Sequence, residues 1–387
     1  MELDLLDIIS LFIGFIELLF ALYLLSVKSK NHLSNILIAI FLLVSAQDST
    51  SQFLSYFIFP NFPGLYLMIT ITIFLKLPAL YLYILSTIYS DFKLKKKDLW
   101  HLLPFFIVII SFLPNYFLVD HDAKVKFMEE SRLSTKWEIS FDYILIHLQI
   151  FFYIVLSYLA VYKYKRLLLE NYSNANMFNY RWLFQLITIL TIEASFATFK
   201  NAFMFLDLES LFYNTMLFTS IIALTFICWM VLKALQAPEL FRGISSDMQL
   251  VKDFKSSSIE NSINEEAVKE NSVKIKKLEM LDAFMIENKP FLDASLTLYD
   301  LSEQIDIPSK DLSLLINRDL NQHFFDFVNG YRIRMAMDIL RDPLKRPFTV
   351  LEILYEVGFN SKSSFNTAFK KYTDFTPTEY RKKYLTA

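Results

Sequence analysis

Glycine and cysteine are scarce in this chain of 387 residues, which contains five glycines and a single cysteine, Cys228. No two glycines lie closer than 28 positions, so a phosphate-binding glycine loop of the dinucleotide or P-loop kind cannot form. One cysteine permits neither an internal disulfide nor a thiolate metal cluster, and the five histidines show no short metal-ligand spacing. The sequence therefore argues against a nucleotide- or metal-dependent enzyme, and we expect no cofactor, no metal site and no catalytic residues.

Charged residues are unevenly distributed along the chain. They make up 20% of it overall, a little below the roughly 25% that is usual for soluble domains. Residues 1–235 hold 34 of the 78 charged side chains and residues 236–387 hold the other 44, so the first part is about 14% charged and the second about 29%. The two parts are therefore suited to different solvents.

The first 235 residues contain seven long apolar runs separated by short polar breaks. A helix needs about 20 mainly apolar residues to cross the hydrocarbon core of a bilayer, and each run is that long. One such run could be a buried helix of a soluble protein, but seven without polar faces between them predict a multi-span membrane protein. The runs cover residues 5–27, 34–57, 65–89, 99–119, 139–162, 182–206 and 211–235.

Lysine and arginine predict how these runs are oriented. The residues before the first run, Met1–Asp4, lack the positive region of a signal peptide. When the breaks are assigned alternately, the side that includes Lys28 and Lys30 holds ten lysines or arginines and the other side holds four. Because cytoplasmic loops carry the excess of positive charge, we predict a bacterial inner-membrane domain over 1–235, with membrane lipid around it. Its N-terminus would lie outside and the C-terminus of the chain in the cytoplasm.

Ionisable side chains within the apolar runs are costly in a membrane and are default functional candidates. Glu193 and Lys200 are seven residues apart and so share one helix face. Lys76 precedes Pro78, which should free a backbone carbonyl and kink the third span. One interpretation is a polar pocket for a small molecule or envelope signal; others are internal pairing, reach to an interface, or proton or ion transport. The candidates are Glu17, Asp48, Lys76, Glu193 and Lys200.

Residues 236–289 are predicted to connect two domains. Serine, asparagine and charged residues dominate 244–264, which is typical of a flexible linker. Apolar residues then recur at three- and four-residue spacing over 265–289, which predicts an amphipathic helix that ends at Pro290. The helix is too short for a convincing coiled coil, and we expect it to pack on the following domain or on a second copy of the chain. Its apolar positions are Val268, Ile275, Leu278, Leu281, Phe284 and Met285.

Residues 290–387 show the start and stop signals of several short helices. Pairs of helices separated by a turn are predicted over 298–319 and 350–372, and a longer helix over 324–341 lies between them. Two helix-turn-helix units joined by a long helix are a specific arrangement. The predicted fold class is therefore all-α: a seven-transmembrane-helix bundle followed by a cytoplasmic domain of two helix-turn-helix units joined by a linker helix.

The last hundred residues carry a recognisable order of residues. It includes Val357-Gly358-Phe359, Phe369-Lys370-Lys371-Tyr372 and Thr376-Pro377 in the second unit, and Tyr331-Arg332-Ile333 in the joining helix. This order resembles the signature of the AraC/XylS family of bacterial transcription regulators. The approach through Lys289-Pro290-Phe291 is similar to that of membrane-anchored members of the family.

The resemblance implies that each unit places its second helix in a major groove of DNA, the two grooves being about 34 Å apart. Some side chains would then read bases, while lysines would bind phosphates, which position the domain without reading sequence. The second helix-turn-helix unit would contribute Ser363, Ser364 and Thr367 as base readers, Lys362, Lys370 and Lys371 as phosphate ligands, and Asn366 beside them. The first helix-turn-helix unit would contribute Lys310, Ser313 and Leu314 as readers, with Asn317 and Arg318 nearby.

Four positions depart from the family pattern. Ser302 and Leu354 stand where alanine is usual, and Asp306 and Asp374 stand where glycine is usual. Charge also differs between the units, since residues 290–342 carry a net charge of −4 and residues 343–387 carry +4. We therefore expect attraction to phosphates to come mainly from the second unit.

The predicted function is that of a membrane-embedded one-component transcription regulator, and not that of an enzyme. Its expected partners are double-stranded promoter DNA, RNA polymerase and a second copy of the chain, with a signal that alters the pairing or orientation of the 265–289 helices. An alternative is a membrane transporter or membrane enzyme whose C-terminal domain is a regulatory or protein-binding module. Substitution of Glu193 or Lys200 would abolish transport in that case. A third interpretation is proteolytic release of the DNA-binding domain at the linker.

Overall fold

A computed structural model describes residues 4–27, 32–89, 91–129, 136–173, 178–206, 208–236 and 266–385. Within these ranges the chain is helical apart from turns and one isolated bridge between Tyr172 and Thr297, which confirms the predicted all-α class. The chain divides into two compact units, Met1–Tyr162 with Phe178–Ser246, and Lys163–Met177 with Asp247–Ala387. Lys28, Lys30, the predicted linker over 244–264 and the side chain of Val268 lie outside the described residues.

Ten α-helices of the described chain precede residue 237. They are α1 (Leu5–Ser26), α2 (His32–Ser49), α3 (Ser51–Ile58), α4 (Pro63–Ile71), α5 (Lys76–Ile88), α6 (Leu103–Phe112), α7 (His121–Glu129), α8 (Trp137–Asn171), α9 (Phe178–Phe205) and α10 (Glu209–Gln236). Seven helical stretches, one for each predicted apolar run, are long and apolar enough to cross a membrane. The longest helix, α8, begins in the first unit and ends in the second.

The third apolar stretch is broken, as the sequence predicts. A 3-10 turn over Thr72–Leu75 separates α4 from α5, and Pro78 lies in the first turn of α5. Because proline has no N–H, the carbonyl of Phe74 lacks the usual donor four residues later in the chain. The side-chain amide of Gln149 on α8 donates to that carbonyl at 2.9 Å. The second run also differs from one uninterrupted helix, since Thr50 separates α2 from α3.

The helices of the first unit present large apolar side chains on their outer surfaces. Ile110 on α6 is 65% exposed and Leu148 on α8 is 64% exposed. The interior holds tighter contacts, such as the stacked rings of Trp182 and Trp229, whose centroids are 5.0 Å apart between α9 and α10. An apolar exterior of this extent is unusual for a protein in water and is what a bilayer requires.

The second unit contains the two predicted helix-turn-helix pairs. Its helices are α11 (Glu266–Asn288), α12 (Leu298–Ile305), α13 (Ser309–Leu314), α14 (Phe324–Arg341), α15 (Val350–Glu356), α16 (Lys362–Thr373) and α17 (Pro377–Leu385). The first pair is α12 and α13, the second is α15 and α16, and α14 joins them. A π-turn over Leu315–Asp319 extends α13.

The positions that depart from the family pattern have structural explanations. Asp306 and Asp374 end α12 and α16 in the left-handed conformation, with φ of 56° and 62°, which aspartate tolerates better than most residues. Ser302 is buried, and its hydroxyl lies 2.6 Å from that of Ser309, the first residue of α13. Leu354 is fully buried in the core of the second pair. Each departure is therefore accommodated within the predicted fold.

Helix α11 packs on the first helix-turn-helix pair, which confirms one of the two expectations for the amphipathic helix. Leu281 and Met285 are fully buried in the core that includes Leu298 and Leu312. Ile275, in contrast, is 56% exposed. The apolar face between 278 and 285 is thus occupied by the same chain.

One buried side chain connects distant parts of the second unit. Arg332 on α14 has no exposed surface and donates to the carbonyl oxygens of Phe291 and Asp293 at 2.7 and 2.8 Å. It also donates to the carbonyl oxygen and the hydroxyl of Ser173 at 3.1 and 3.2 Å. The backbone N–H of Ser173 donates in turn to the carbonyl of Leu296 at 3.1 Å. Residues 172–173, just beyond α8, are therefore part of the interior of this unit.

Candidate nucleic-acid interface

Helix α16 presents a polar face because two phenylalanines fix its rotation. Phe365 and Phe369, four residues apart, are fully buried and therefore lie on one side of the helix. Ser363, Thr367 and Lys370 are exposed. Small hydrogen-bonding side chains with a lysine among them are the chemistry that reads base edges and neutralises phosphates.

The N-terminus of α16 is capped by a serine side chain. Ser361 is the N-cap, and its hydroxyl accepts from the backbone N–H of Ser364 at 3.3 Å. Lys362, the first residue of the helix, is exposed, while Ser364 and Asn366 are half-buried. Backbone N–H groups and the helix dipole at this end favour phosphate. Because Ser364 is half-buried, it lies at the edge of the exposed face of α16 and not at its centre.

Lys371, predicted to bind phosphate, is engaged with the joining helix. Its ammonium lies 2.6 Å from the carboxylate of Asp326 on α14, and the neighbouring Tyr372 hydroxyl donates to the backbone carbonyl of Asp326 at 2.6 Å. Burial, helped by the negative charge of Asp326, raises the pKa of Tyr372 to about 12, so the phenol remains a neutral donor. Lys371 therefore pairs with α14, although its side chain is still 61% exposed, and Lys362 and Lys370 are exposed as well.

In the first pair, the structure separates exposed from buried candidates. Lys310 and Arg318 are exposed and Leu314 is half-buried, but Ser313 is only 6% exposed. The amide of Asn317 donates to the carbonyl and the hydroxyl of Ser313 at 3.1 and 3.3 Å, and its oxygen accepts from the backbone N–H of Phe324 at 3.2 Å. Ser313 and Asn317 thus hold the π-turn and the start of α14 in place, a role that does not suit direct base reading.

The acidic charge beside the first recognition helix is partly neutralised by α11, which the sequence did not indicate. Lys274 lies 3.2 Å from Asp319 and Lys277 lies 3.2 Å from Asp311. Arg318 also contacts Asp319 at 2.9 Å. The negative side chains of α13 and its π-turn are therefore less repulsive toward DNA than the net charge of −4 for residues 290–342 suggests.

The ionisable candidates of the first unit are mostly brought together. Asp48, Lys76, Glu193 and Lys200 line one cavity of about 400 Å³, whereas Glu17 is buried on α1 and accepts from the Ser49 hydroxyl at 3.3 Å. One lining residue, Asp142, was missed, while His147, an uncharged polar residue of the fifth apolar run, also lines the cavity. Asp142 could have been found, because it is a carboxylate only a few residues inside the fifth apolar run.

Comparison with known proteins concerns the second unit. Residues 301–383 match the family model described as a helix-turn-helix domain. An uncharacterized HTH-type transcriptional regulator in the cgkA 5′ region of Pseudoalteromonas carrageenovora is 31% identical over 119 residues, which are 30% of this chain and 66% of that protein. The melibiose operon regulatory protein of Escherichia coli is 28% identical over 99 residues, which are 26% of this chain and 31% of that protein.

A third relative gives the same picture. The uncharacterized HTH-type transcriptional regulator YdeC of Bacillus subtilis is 31% identical over 87 residues, which are 22% of this chain and 29% of that protein. The chain thus spans less than two thirds of the length of each of these relatives. No solved structure is significantly similar to it.

Proposed function

Because residues 301–383 are an AraC-type helix-turn-helix domain, we propose that this chain is a membrane-embedded transcription regulator that binds promoter DNA through α13 and α16. The observation that carries the proposal is the face of α16, where buried Phe365 and Phe369 hold Ser363 and Thr367 outward. The second pair supplies most of the attraction to phosphate, since residues 343–387 carry a net charge of +4. RNA polymerase and a second copy of the chain are the further partners we propose.

The proposed DNA-binding residues differ in role. Ser363 and Thr367 read bases from α16, while Lys362 and Lys370 contact phosphates. In the first pair Lys310 and Arg318 face the DNA with Leu314, whose apolar side chain suits a thymine methyl group. Ser313, Asn317 and Lys371 act indirectly, by holding their helices in place, and Ser364 and Asn366 border the surface.

We propose that the seven apolar helices lie in the inner membrane of a bacterium and sense the signal. Their apolar outer surface and the excess of positive charge on one side support this location. Helix α8 provides the connection, because it is continuous from Trp137 to Asn171, about 52 Å. The residues after it donate to Leu296 and accept from Arg332 in the DNA-binding unit. A signal changes DNA binding only if it has different affinities for the two states.

The test is DNA selection with the full chain in nanodiscs. Binding to the selected site should weaken steeply with salt, because phosphate contacts release counterions. Thr367→Ala should cost about 1–3 kcal/mol on the selected site and relax preference at one base position, whereas Lys362→Ala should weaken all sequences alike and reduce the salt slope by about 1. Lys276→Ala removes the same charge from an exposed position of α11 and should change neither quantity.

Absence of a selected sequence, or equal effects of Thr367→Ala on selected and random DNA, would contradict specific recognition by α16. In that case the alternative of a protein-binding module would gain support.

A further inference from the structure

The cavity of the first unit contains charges that the protein does not neutralise. Asp48 on α2 and Lys76 on α5 form an ion pair at 3.4 Å. Asp142 on α8 and Glu193 and Lys200 on α9 also line the cavity, and in the described part of the chain none of these three forms a hydrogen bond or an ion pair. Glu193 and Lys200 are two helical turns apart, about 10 Å along the axis. The cavity therefore holds one more carboxylate than ammonium groups. Glu193 is attracted by Lys76 and Lys200, whereas no charged group of the described chain acts on Asp142, in a place where an unpaired charge is costly.

An apolar groove of about 520 Å³ lies beside this cavity, between α8 and α9. Ile144 and Leu148 line it and are more than 60% exposed. The groove extends on α8 from Ser140 to Phe151, about 16 Å along the helix. In the proposed membrane it is open to the acyl chains, and its length and apolar lining suit one extended alkyl chain.

The cavity and the groove are adjoining because Tyr143, His147 and Asn201 line both. The Asn201 amide donates to Nε2 of His147 at 3.0 Å. The hydroxyl of Thr198 already donates to the carbonyl of Ala194, so it accepts from Nδ1 of His147 at 3.2 Å. The imidazole is therefore neutral, with both nitrogens occupied, and separates a charged compartment from an apolar one. A molecule that has a charged head and an apolar chain matches this division.

We propose that this site binds a membrane amphiphile whose head group carries a protonated amine, and that this amphiphile is the signal of the proposed regulator, on which the inference rests. The ammonium group lies at Asp142, near the outer end of the groove, and the alkyl chain lies in the groove along Leu148. The surplus carboxylate selects a cation over an anion. In the predicted topology Trp137 and Phe205 are at the outer ends of α8 and α9, so the amphiphile comes from the outer leaflet.

The experiment uses the full chain in phosphatidylcholine nanodiscs and dodecylamine with a photoreactive diazirine at the end of its chain. Crosslinked residues are mapped by mass spectrometry. Labelling should concentrate on Ile144, Leu148 and Phe151, and unlabelled dodecylamine should compete for it where dodecanoate does not. Ile110 is as exposed as Leu148 but lies outside the groove, so it reports non-specific labelling from the bilayer.

Matched variants test the assignment of the head group. Asp142→Asn should reduce groove labelling about tenfold, the loss expected for one charge-assisted hydrogen bond. Glu209→Gln, at an exposed carboxylate that begins α10, should leave labelling unchanged. Leu148→Trp fills the groove and should reduce labelling although the carboxylates remain. An unchanged thermal unfolding midpoint of each variant in nanodiscs shows that its first unit is folded.

Three results would overturn the inference: equal labelling of Ile110 and Leu148, equal competition by dodecanoate, or full labelling of Asp142→Asn. The outcome is independent of the proposed function. Groove labelling without sequence-specific DNA binding would contradict the proposed regulatory function but support the amphiphile site. Specific DNA binding without groove labelling would contradict the amphiphile site alone.

Discussion

Arg332 donates hydrogen bonds to the carbonyl and the hydroxyl oxygen of Ser173, which is 159 positions earlier in the chain. Burial lowers the pKa of Arg332 to about 10, against the opposing effect of Asp293, so the guanidinium is still charged at pH 7. A buried charge that loses its partners costs about 3–5 kcal/mol. The DNA-binding unit therefore depends on residues that directly follow an apolar helix.

We expect the fragment 266–387 to be less stable than the same unit in the full chain, because Arg332 loses both bonds to Ser173. The free energy of unfolding should fall by about 2 kcal/mol or more, since hydrogen bonds to charged groups contribute about 1.5–3 kcal/mol each. Hydrogen exchange of the α14 amides in the two proteins measures the difference. Ser173→Ala in the full chain keeps the carbonyl acceptor and should have a smaller effect. Equal protection of α14 in the fragment and the full chain would show that Ser173 is dispensable.

Gly358→Ala should destabilise the second helix-turn-helix pair. Gly358 has a φ of 88°, and an added Cβ would lie 2.5 Å from the carbonyl oxygen of Phe291 and 2.8 Å from that of Leu292. The left-handed conformation alone costs a side chain about 1–2 kcal/mol, and the contact with rigid backbone adds to it. Urea unfolding monitored by exchange of α15 measures the loss.

Gly330→Ala is the matched control for that substitution. Gly330 lies inside α14, and an added Cβ would meet only the side chain of Tyr372, whose nearest atom, the hydroxyl oxygen, is 3.4 Å away. Alanine in a helix interior is favoured over glycine by about 1 kcal/mol, so this variant should be slightly more stable than the parent. A similar loss in both variants would indicate that the turn at Gly358 has no special requirement.

Gln149→Leu should destabilise the first unit by about 1–3 kcal/mol, because it removes the side-chain donor of the buried Phe74 carbonyl. Pro78→Ala restores a backbone N–H four residues after Phe74, and should therefore remove most of the cost of Gln149→Leu. Thermal unfolding of the two single variants and the double variant in nanodiscs gives the coupling between them. Additive losses would contradict the assignment of Gln149 as the substitute donor.

Stability of α15 should depend on pH through Glu352. Hydrogen bonds from the backbone N–H and the hydroxyl of Thr349 lower the pKa of Glu352 below its ordinary value of 4.5. A carboxylate with a lowered pKa contributes stability above pH 4.5 that is lost as the pH falls through the folded-state value. Exchange protection of α15 should thus decrease between about pH 5 and pH 3 in the parent chain. In Glu352→Gln the exchange protection of α15 should not vary over this pH range, whereas Glu287→Gln should show the same decrease as the parent chain. A parallel decline in all three proteins would exclude the capping interaction of Glu352 as the cause.

Local patterns in the sequence predicted the helices well, because capping and apolar periodicity act within a few residues. Thr297 and Thr349 form the capping boxes that begin α12 and α15, and the position of Pro78 predicted the break before α5. The contact between Arg332 and Ser173 had no such signal, since nothing in either segment indicates the other. Long-range partners of a buried charge depend on tertiary packing.

The residues of the candidate surface were also predictable only where a local pattern determined their position. The exposed face of α16 followed from the spacing of Phe365 and Phe369, which the motif supplied. Ser313 was assigned to the surface by analogy of position, but the π-turn after α13 turns it inward to Asn317. The role of Ser313 therefore depends on the hydrogen-bond geometry of a turn that apolar periodicity does not reveal.

The residues that follow α8 are synthesised before α14, the helix whose arginine they bind. Ser173 leaves the ribosome long before Arg332, and N-terminal parts of a chain generally fold first. The acceptors for the guanidinium are therefore in place, at the end of a preceding apolar helix, before the helix that carries Arg332 has been made. The interior of the DNA-binding unit is thus completed by a segment that is synthesised 159 positions before Arg332.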